Sequence, residues 1–196
     1  MGFPKALLAV DGKLIMERMI EDLYRAGWGK VGIVLSSPWL SELFHKLLTD
    51  MTVIINRNPE AGMISSIRLA LAWVSVGQPF LAVHDRYAVE GLLTLPVDHP
   101  LVAFPTLVTM RTAAEHDRIV IPTFNNRRGH PTWWGRDYWG FLNSSTADKG
   151  AQRILHSSGV NVVELPVEDE GVLININTPA DAAEHGLGRI AIPGCP

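Results

Sequence analysis

The stretch Gly91-Leu-Leu-Thr-Leu95-Pro-Val-Asp98-His-Pro100 decides the fold class of this 196-residue chain. Its first five residues form a mainly apolar run, which is typical of a strand buried in a parallel sheet. Pro96 and Pro100 stiffen the turn that follows, and this turn contains Asp98. The stretch therefore predicts a buried strand that ends in a rigid loop carrying a carboxylate.

Short strands and helical segments alternate on both sides of this stretch. Apolar spacing predicts helices near residues 13–26, 39–49, 64–76, 133–142 and 148–157, one after Pro100 and one beginning at Thr178. Further strands are predicted at 31–35, 52–55, 119–121, 162–165 and 173–176. The alternation predicts an α/β protein with a mostly parallel sheet, as one domain over residues 1–196. Residues 77–90 fit the pattern poorly and form either an extra short strand or a surface excursion.

Composition and charge exclude several classes of protein. A hydrophobic content of 47% with 19% charged residues excludes a disordered chain. A net charge of −3 argues against a nucleic-acid partner, although it is compatible with a small phosphorylated ligand. Cys195 is the only cysteine, so no intrachain disulfide can form. No apolar run approaches the ~20 residues that span a bilayer, and Met1–Lys5 lacks the apolar region of a signal peptide. We therefore expect a cytoplasmic protein without a membrane partner.

The first candidate site residues are Asp98 and Lys5. In an open α/β sheet, ligands bind beyond the carboxyl ends of the strands, where Asp98 is predicted to lie. A carboxylate there can hold Mg²⁺, or it can simply form the turn. Lys5 follows Pro4 in the sequence and is a compact cation suited to phosphate, or else a solvated surface lysine.

Three further segments carry side chains with useful chemistry. Gly62–Ser66 places a glycine and two hydroxyls at a helix start, where free N–H groups favour anions; the alternative is a simple N-cap. Arg127–Pro131 combines two guanidiniums with an imidazole, and either grips a phosphate or carboxylate or forms an exposed basic turn. The aromatic residues of 133–141 are more typical of a core or interface than of a ligand platform.

Five motifs, taken in order, resemble the molybdenum-cofactor cytidylyltransferase group of the MobA-like nucleotidyltransferases. They are Met1-Gly-Phe-Pro-Lys5, Asn58-Pro59 with Gly62-Met63 and Ser65-Ser66-Ile67, Leu95-Pro-Val-Asp-His-Pro-Leu101, Arg128-Gly-His-Pro131 and Asn177-Thr-Pro-Ala-Asp181. The resemblance covers nearly the whole chain and implies a Rossmann-like three-layer α/β/α nucleotide-diphospho-sugar transferase fold. It further implies Mg²⁺-dependent transfer of a nucleoside monophosphate, CMP from CTP, onto a phosphorylated molybdopterin-type acceptor, with release of pyrophosphate. A molybdoenzyme or its chaperone would be the protein partner.

The resemblance also implies a role for individual residues. Lys5 and Asp98 would be the catalytic residues, Lys5 contacting the triphosphate and Asp98 holding Mg²⁺. The other metal ligands would be Asn175 and Asn177. The nucleotide-binding residues would be Gly2, Lys5, Asn58, Gly62 and Ser66. The acceptor would face Arg128, Gly129, His130 and Pro131, with His130 either orienting the attacking oxygen or bracing the loop.

The sequence departs from the family pattern in two places. The family begins with a strand and a Leu-Ala-Ala-Gly-x-Ser-x-Arg-Met-Gly loop, whereas this sequence starts at the last Met-Gly. We therefore expect exposed apolar surface where the first strand belongs. Asn175-Ile-Asn177 stands where the family often has Asp-Ile-Asp, which removes negative charge from the metal ligands. The alternatives are a guanylyl- or sugar-phosphate nucleotidyltransferase of the same fold, or a catalytically defective protein that binds and delivers cofactor.

Overall fold

The computed structural model describes residues 4–47, 51–75, 89–144 and 151–190, which contain short strands and helices in alternation. The strands are β1 (Leu8–Val10), β2 (Lys13–Leu14), β3 (Gly32–Leu35), β4 (Thr52–Ile55), β5 (Gly91–Thr94), β6 (Ile119–Phe124), β7 (Arg127–Arg128), β8 (Thr132–Gly135), β9 (Val162–Pro166) and β10 (Gly188–Arg189). The helices are α1 (Ile15–Arg25), α2 (Pro38–Leu47), α3 (Met63–Ser75), α4 (Phe104–Ala113), α5 (Trp139–Asn143) and α6 (Pro179–Glu184).

The strands of the described ranges pair in three sheets. Two pairings are parallel, β3 with β4 and β6 with β9. The pairings of β8 with β5 and β6, of β7 with β6, and of β1 with β2 and β10 are antiparallel. The predicted α/β class is confirmed, but the sheet is mixed rather than mostly parallel, because β8 lies between β5 and β6 and runs against both.

Alternate side chains of the central strands face two different helical layers. On β6, Ile119 and Ile121 pack with α3, whereas Val120 between them packs with α4. On β8, Trp134 joins the α3 layer and Trp133 joins the α4 layer. Both faces of this sheet are therefore covered by helices, which gives the three-layer order that the resemblance implied.

Two segments differ from the secondary structure predicted by periodicity. The predicted helix at 133–142 is instead the strand β8 followed by a 3₁₀ turn and the short α5, because Trp133 and Trp134 are buried on opposite faces and show no alternation. The predicted strand at 173–176 pairs with no other strand in the described part of the chain. It runs against the Asp98 turn instead, where the amide of Ile176 donates to the carbonyl of Asp98 over 2.8 Å.

The prediction at Thr178 agrees with the structure, whereas two others fall largely or partly outside the described residues. The helix beginning at Thr178 is α6, and its N-terminus has a reciprocal capping box between Thr178 and Asp181. Of the predicted helix at 148–157, residues 148–150 lie outside the described ranges and 151–156 form a 3₁₀ helix. Of residues 77–90, only Val89 and Glu90 are described, and neither belongs to a strand. None of the described helices combines the length and apolar character needed to cross a membrane.

A groove of about 700 Å³ separates β3 from β5. Its walls are apolar and include Ile20 of α1 and Ile67 of α3, together with the residues of both strands. Among the described strands, β3 pairs only with β4 and β5 only with β8, so the edges that face the groove have no strand partner. An apolar groove therefore lies between two sheet edges, and exposed apolar surface in place of a first strand stays a prediction.

We expect this groove to bind an apolar fluorescent dye in the native protein, because its walls are mainly apolar and it is open to solvent. Val34 of β3 lines the groove, so Val34→Glu should weaken dye binding. Val108 is an exposed valine of α4 that does not line the groove, so Val108→Glu is the matched control. Native-state dye fluorescence measures the effect. Absence of dye binding, or equal binding by the two variants, would show that the groove is closed in solution.

Candidate functional site

Lys5, Asp98 and Asn177 meet at the carboxyl end of β5. The ammonium of Lys5 donates to Asn177 Oδ1 over 2.6 Å and to Asp98 Oδ2 over 3.3 Å. The side chains of Lys5 and Asp98 are each 27% exposed, so ligands can reach them. The structure thus brings together three of the residues singled out from the sequence, although they are supplied by the two ends and the middle of the chain.

Backbone hydrogen bonds fix the turn that carries Asp98. The amide of His99 donates to the carbonyl of Pro96 over 3.0 Å, which closes the turn directly after β5. On its other side, the carbonyl of Asp98 accepts from the amide of Ile176. The carboxylate is therefore presented by a backbone that is held from two directions.

Asn177 is held by the start of α6. The carboxylate of Asp181 accepts hydrogen bonds from the amides of Asn177 and Thr178, each at 2.8 Å. The bond from the Asn177 amide, followed by the hydroxyl of Thr178, lowers the pKa of Asp181, so this carboxylate stays ionised. Asn175 lies on the other side of the buried Ile176 and is exposed. In the ranges that the structure describes, it makes no hydrogen bond to Lys5 or Asp98.

Asp98 and Asn177 together offer a donor set that suits a hard divalent cation. One carboxylate oxygen and one amide oxygen converge on a single cation, which here is the ammonium of Lys5. Mg²⁺ commonly takes one or two protein oxygens and completes its coordination with water and substrate phosphates. Among the described residues, no group of three or more His, Cys, Asp or Glu side chains could hold a metal alone. Asp98 and Asn177 therefore fit Mg²⁺ as two of its oxygen ligands, and a bound phosphate and water would supply the others.

Asn56 organises the loop that follows β4, although the sequence analysis did not single it out. It is buried, and its side-chain amide donates to the hydroxyls of Ser65 and Ser66 over 2.8 and 2.9 Å. Its carbonyl oxygen accepts from the amide of Asn58 over 2.9 Å. The only sequence signal is its position at the end of a strand. Three of the predicted nucleotide-binding residues, Asn58, Gly62 and Ser66, belong to this loop and the first turn of α3, whereas Gly2 lies outside the described residues.

The Arg127–Pro131 loop begins with a tight hairpin. Asn125 and Asn126 connect β6 to β7 with φ values of 50° and 61°, as expected for a two-residue turn that twists with its strands. The guanidinium of Arg128 donates to Glu164 of β9 through Nε over 2.8 Å and through a terminal nitrogen over 2.7 Å. An acceptor group that binds Arg128 must therefore compete with Glu164.

The second half of this loop packs tightly against the segment around Val172. The amide of Gly129 donates to the carbonyl of Pro122, and that of His130 donates to the carbonyl of Val172, both over 2.9 Å. A Cβ on Gly129 would lie 2.4 Å from the Val172 oxygen, so only glycine fits there. Pro131 is buried and leads directly into β8.

The imidazoles of His99 and His130 lie in contact beside Asp98. Their ring centroids are 4.5 Å apart, and the planes are tilted by 55°. Burial lowers the pKa of His130 to about 4, with a smaller contribution from His99, while Asp98 acts in the opposite direction. Burial also lowers the pKa of His99, against the opposing effect of Asp98. Both imidazoles are therefore uncharged at neutral pH, which leaves Lys5 and Asp98 as the charged groups. Sequence analysis did not assign a role to His99.

Asp169 is a third residue that sequence reasoning missed. One of its carboxylate oxygens accepts from the amide of Ala103 over 2.8 Å and from the hydroxyl of Thr106 over 2.7 Å, so it caps α4 from a distance. The other oxygen accepts from the amide of Gly171 over 2.9 Å. No local sequence pattern reveals this role, because the residues that Asp169 caps are far away in the chain.

The fold is shared with several solved structures. Rv0371c from Mycobacterium tuberculosis H37Rv superposes with a TM-score of 0.73 at 24% identity, covering 95% of this chain and 90% of that one. A complex of that protein with manganese has also been solved; it superposes with a TM-score of 0.70, covering 92% and 90% of the chains. Molybdopterin-guanine dinucleotide biosynthesis protein A from Archaeoglobus fulgidus gives a TM-score of 0.58 at 21% identity, covering 92% and 87%.

A CTP complex of CMP:2-keto-3-deoxy-manno-octonic acid synthetase has the same fold, with a TM-score of 0.64 at 14% identity, covering 93% and 90% of the two chains. These superpositions show a common Rossmann-like architecture, and identities this low do not identify the substrates.

No curated protein matches the sequence itself. The family profile of the MobA-like NTP transferase domain matches residues 1–164, which is most of the chain. The protein therefore belongs to the MobA-like NTP transferase family and is a nucleotidyltransferase.

Proposed function

We propose that this nucleotidyltransferase moves CMP from CTP onto a phosphorylated molybdopterin-type cofactor and releases pyrophosphate. The observation that carries the proposal is the convergence of Lys5, Asp98 and Asn177 at the carboxyl end of β5. That end of an open α/β sheet is where ligands bind. The order of the sequence motifs supports the choice of base and acceptor, as do a related fold that binds CTP and another that belongs to molybdopterin dinucleotide synthesis.

The charged residues act by binding and orienting the triphosphate. Lys5 would bind phosphate oxygens, and Asp98 and Asn177 would hold Mg²⁺, together with Asn175 if its side chain turned towards them. Mg²⁺ when bound supplies positive charge that offsets charge on the phosphates. An oxygen of the acceptor's phosphate forms a new bond to the α-phosphorus, and the bond from that phosphorus to pyrophosphate breaks. The protein contributes positioning and electrostatic stabilisation, without a covalent enzyme intermediate.

Two loops provide the remaining binding groups in this proposal. The nucleotide is bound by the loop after β4, through Asn58, Gly62 and Ser66, and by Gly2. The acceptor is bound by Arg128, Gly129, His130 and Pro131. A manganese complex of a protein with the same fold supports a divalent metal. We further propose a cytoplasmic location and a molybdoenzyme or its chaperone as the recipient of the product.

Two alternatives remain within reach of one assay. A guanylyl- or sugar-phosphate nucleotidyltransferase would use the same fold with another base or acceptor. A family member that has lost activity and delivers cofactor is the other alternative, and it rests on Asn175 and Asn177, which stand where the resemblance implies aspartates. Pyrophosphate release, measured with each nucleoside triphosphate with and without molybdopterin cofactor, separates all three.

Asp98→Asn should lower kcat by roughly 100-fold or more, because it removes the negative charge that holds the metal beside the phosphates. Stability should change by about 1 kcal/mol or less, since the ion pair with Lys5 is partly solvated. Asp137→Asn breaks a more exposed contact, with His116 beyond the other end of β5, and is the control. Pyrophosphate release and thermal unfolding measure the two effects. Turnover near that of the unaltered protein at saturating Mg²⁺ would remove the metal role from Asp98.

Arg128→Lys should raise the KM for molybdopterin cofactor by about tenfold or more, because lysine cannot reproduce the paired hydrogen bonds of a guanidinium. The KM for CTP should be nearly unchanged, as expected when binding to one substrate is lost. Glu164→Gln should lower the KM for the cofactor, because it weakens the competing ion pair. Steady-state kinetics with each substrate varied provides the measurement. If the KM for CTP changes and the KM for the cofactor does not, the loop binds the nucleotide instead of the acceptor.

A further inference from the structure

His99 is a buried side chain next to Asp98 that the proposed reaction does not use. It is 8% exposed, although it directly follows the partly exposed Asp98. Its ring lies against that of His130, with centroids 4.5 Å apart. Within the described ranges, the buried Nδ1 atoms of both rings have no hydrogen-bond partner. With both Nδ1 atoms unpaired, ring packing is a direct contact that can orient the two imidazoles relative to each other.

The two rings are carried by separate loops with separate anchors. His99 belongs to the turn after β5, closed by its own amide hydrogen bond to Pro96. His130 belongs to the loop before β8, held through its amide to Val172. In the proposed reaction the first loop serves the triphosphate and the second serves the acceptor. The ring contact is therefore a direct side-chain link between the two substrate sides.

We propose that His99 is a positioning residue, whose ring holds the His130 imidazole in the orientation that the acceptor requires. The inference rests on the proposed function and deepens it. His130 binds the acceptor, whereas His99 acts only through His130. Because the link is made by ring packing, an aromatic ring without nitrogen atoms can replace His99, and a non-aromatic side chain cannot.

Three substitutions test this role kinetically. His99→Leu should lower kcat/KM for molybdopterin cofactor by roughly 10- to 100-fold, as expected when the support of a reacting group is lost. The KM for CTP should stay unchanged. His99→Phe should restore values near those of the unaltered protein. His116→Leu, which alters an exposed histidine away from this contact, should have no effect. If His99→Leu does not fold, His99→Asn takes its place as a side chain without a ring.

A spectroscopic measurement tests the same contact without any substrate. The ring of His99 should shift the carbon-bound proton signals of the His130 imidazole, assigned by their loss in His130→Gln. These signals should stay shifted in His99→Phe. In His99→Leu, their chemical shifts should move towards those of a histidine in an unfolded peptide. If the unaltered protein transfers no nucleotide to any acceptor, the proposed function fails, and these signals alone decide whether His99 orients His130.

Four results would overturn the inference. The first is unchanged kinetics in His99→Leu. The second is a defect in His99→Phe as large as in His99→Leu, because the nitrogen atoms of His99 would then be what matters. The third is a change confined to the KM for CTP, which would place His99 on the nucleotide side. The fourth is a His130 spectrum that does not respond to loss of the His99 ring.

Discussion

Close packing of backbone against backbone around residues 169–177 is the constraint on which the site depends. A Cβ on Gly171 would lie 2.1 Å from the carbonyl oxygen of Leu101, and one on Gly129 would lie 2.4 Å from that of Val172. Neither backbone atom can move aside as the end of a flexible side chain could. Larger residues at these positions would push apart the Asp98 turn, the His130 loop and the segment that leads to Asn177. The residues of the site meet because two glycines let these three segments touch.

The ion pair at the centre of the site is suited to exchange. Lys5 and Asp98 are both partly solvated, and such pairs contribute about 1 kcal/mol or less to stability. Little free energy would therefore be lost if phosphate oxygens bound Lys5 and a divalent cation bound Asp98, as proposed. The neighbouring imidazoles add no positive charge at neutral pH, since burial lowers the pKa of both. In the proposed reaction, anionic substrates would therefore be bound by Lys5, by the metal and by the loops, and not by protonated histidine.

The groove between β3 and β5 lies between two of the loops that the proposal assigns to the nucleotide and its metal. Ser66 lies along one wall, at the start of α3, and Val97 of the turn that carries Asp98 lies along the other. A nucleotide bound by both loops would have to span the groove between Ser66 and Val97. In the proposed reaction, the separation of the β3–β4 pair from the mixed sheet would set the distance that the nucleotide has to span.

The sequence by itself determined the elements whose causes are local. The apolar run before Pro96 gave β5, the stiff turn exposed Asp98, and the Thr178–Asp181 capping box began α6 where it was predicted. The alternation of such elements was enough for the α/β class. Sequence motifs also pointed to the candidate residues Lys5, Asp98 and Asn177. They did not show how far apart these side chains lie.

The tertiary structure alone decided which segments pair and which side chains meet. A strand buried on both faces has no alternation, so Trp133 and Trp134 carried no local sign that β8 is a strand. The capping of α4 by Asp169, the pairing of Arg128 with Glu164 and the contact of His99 with His130 join residues that are distant in the chain. Periodicity and propensity describe a residue's immediate neighbours, whereas these contacts depend on how whole layers pack, so only the folded chain could reveal them.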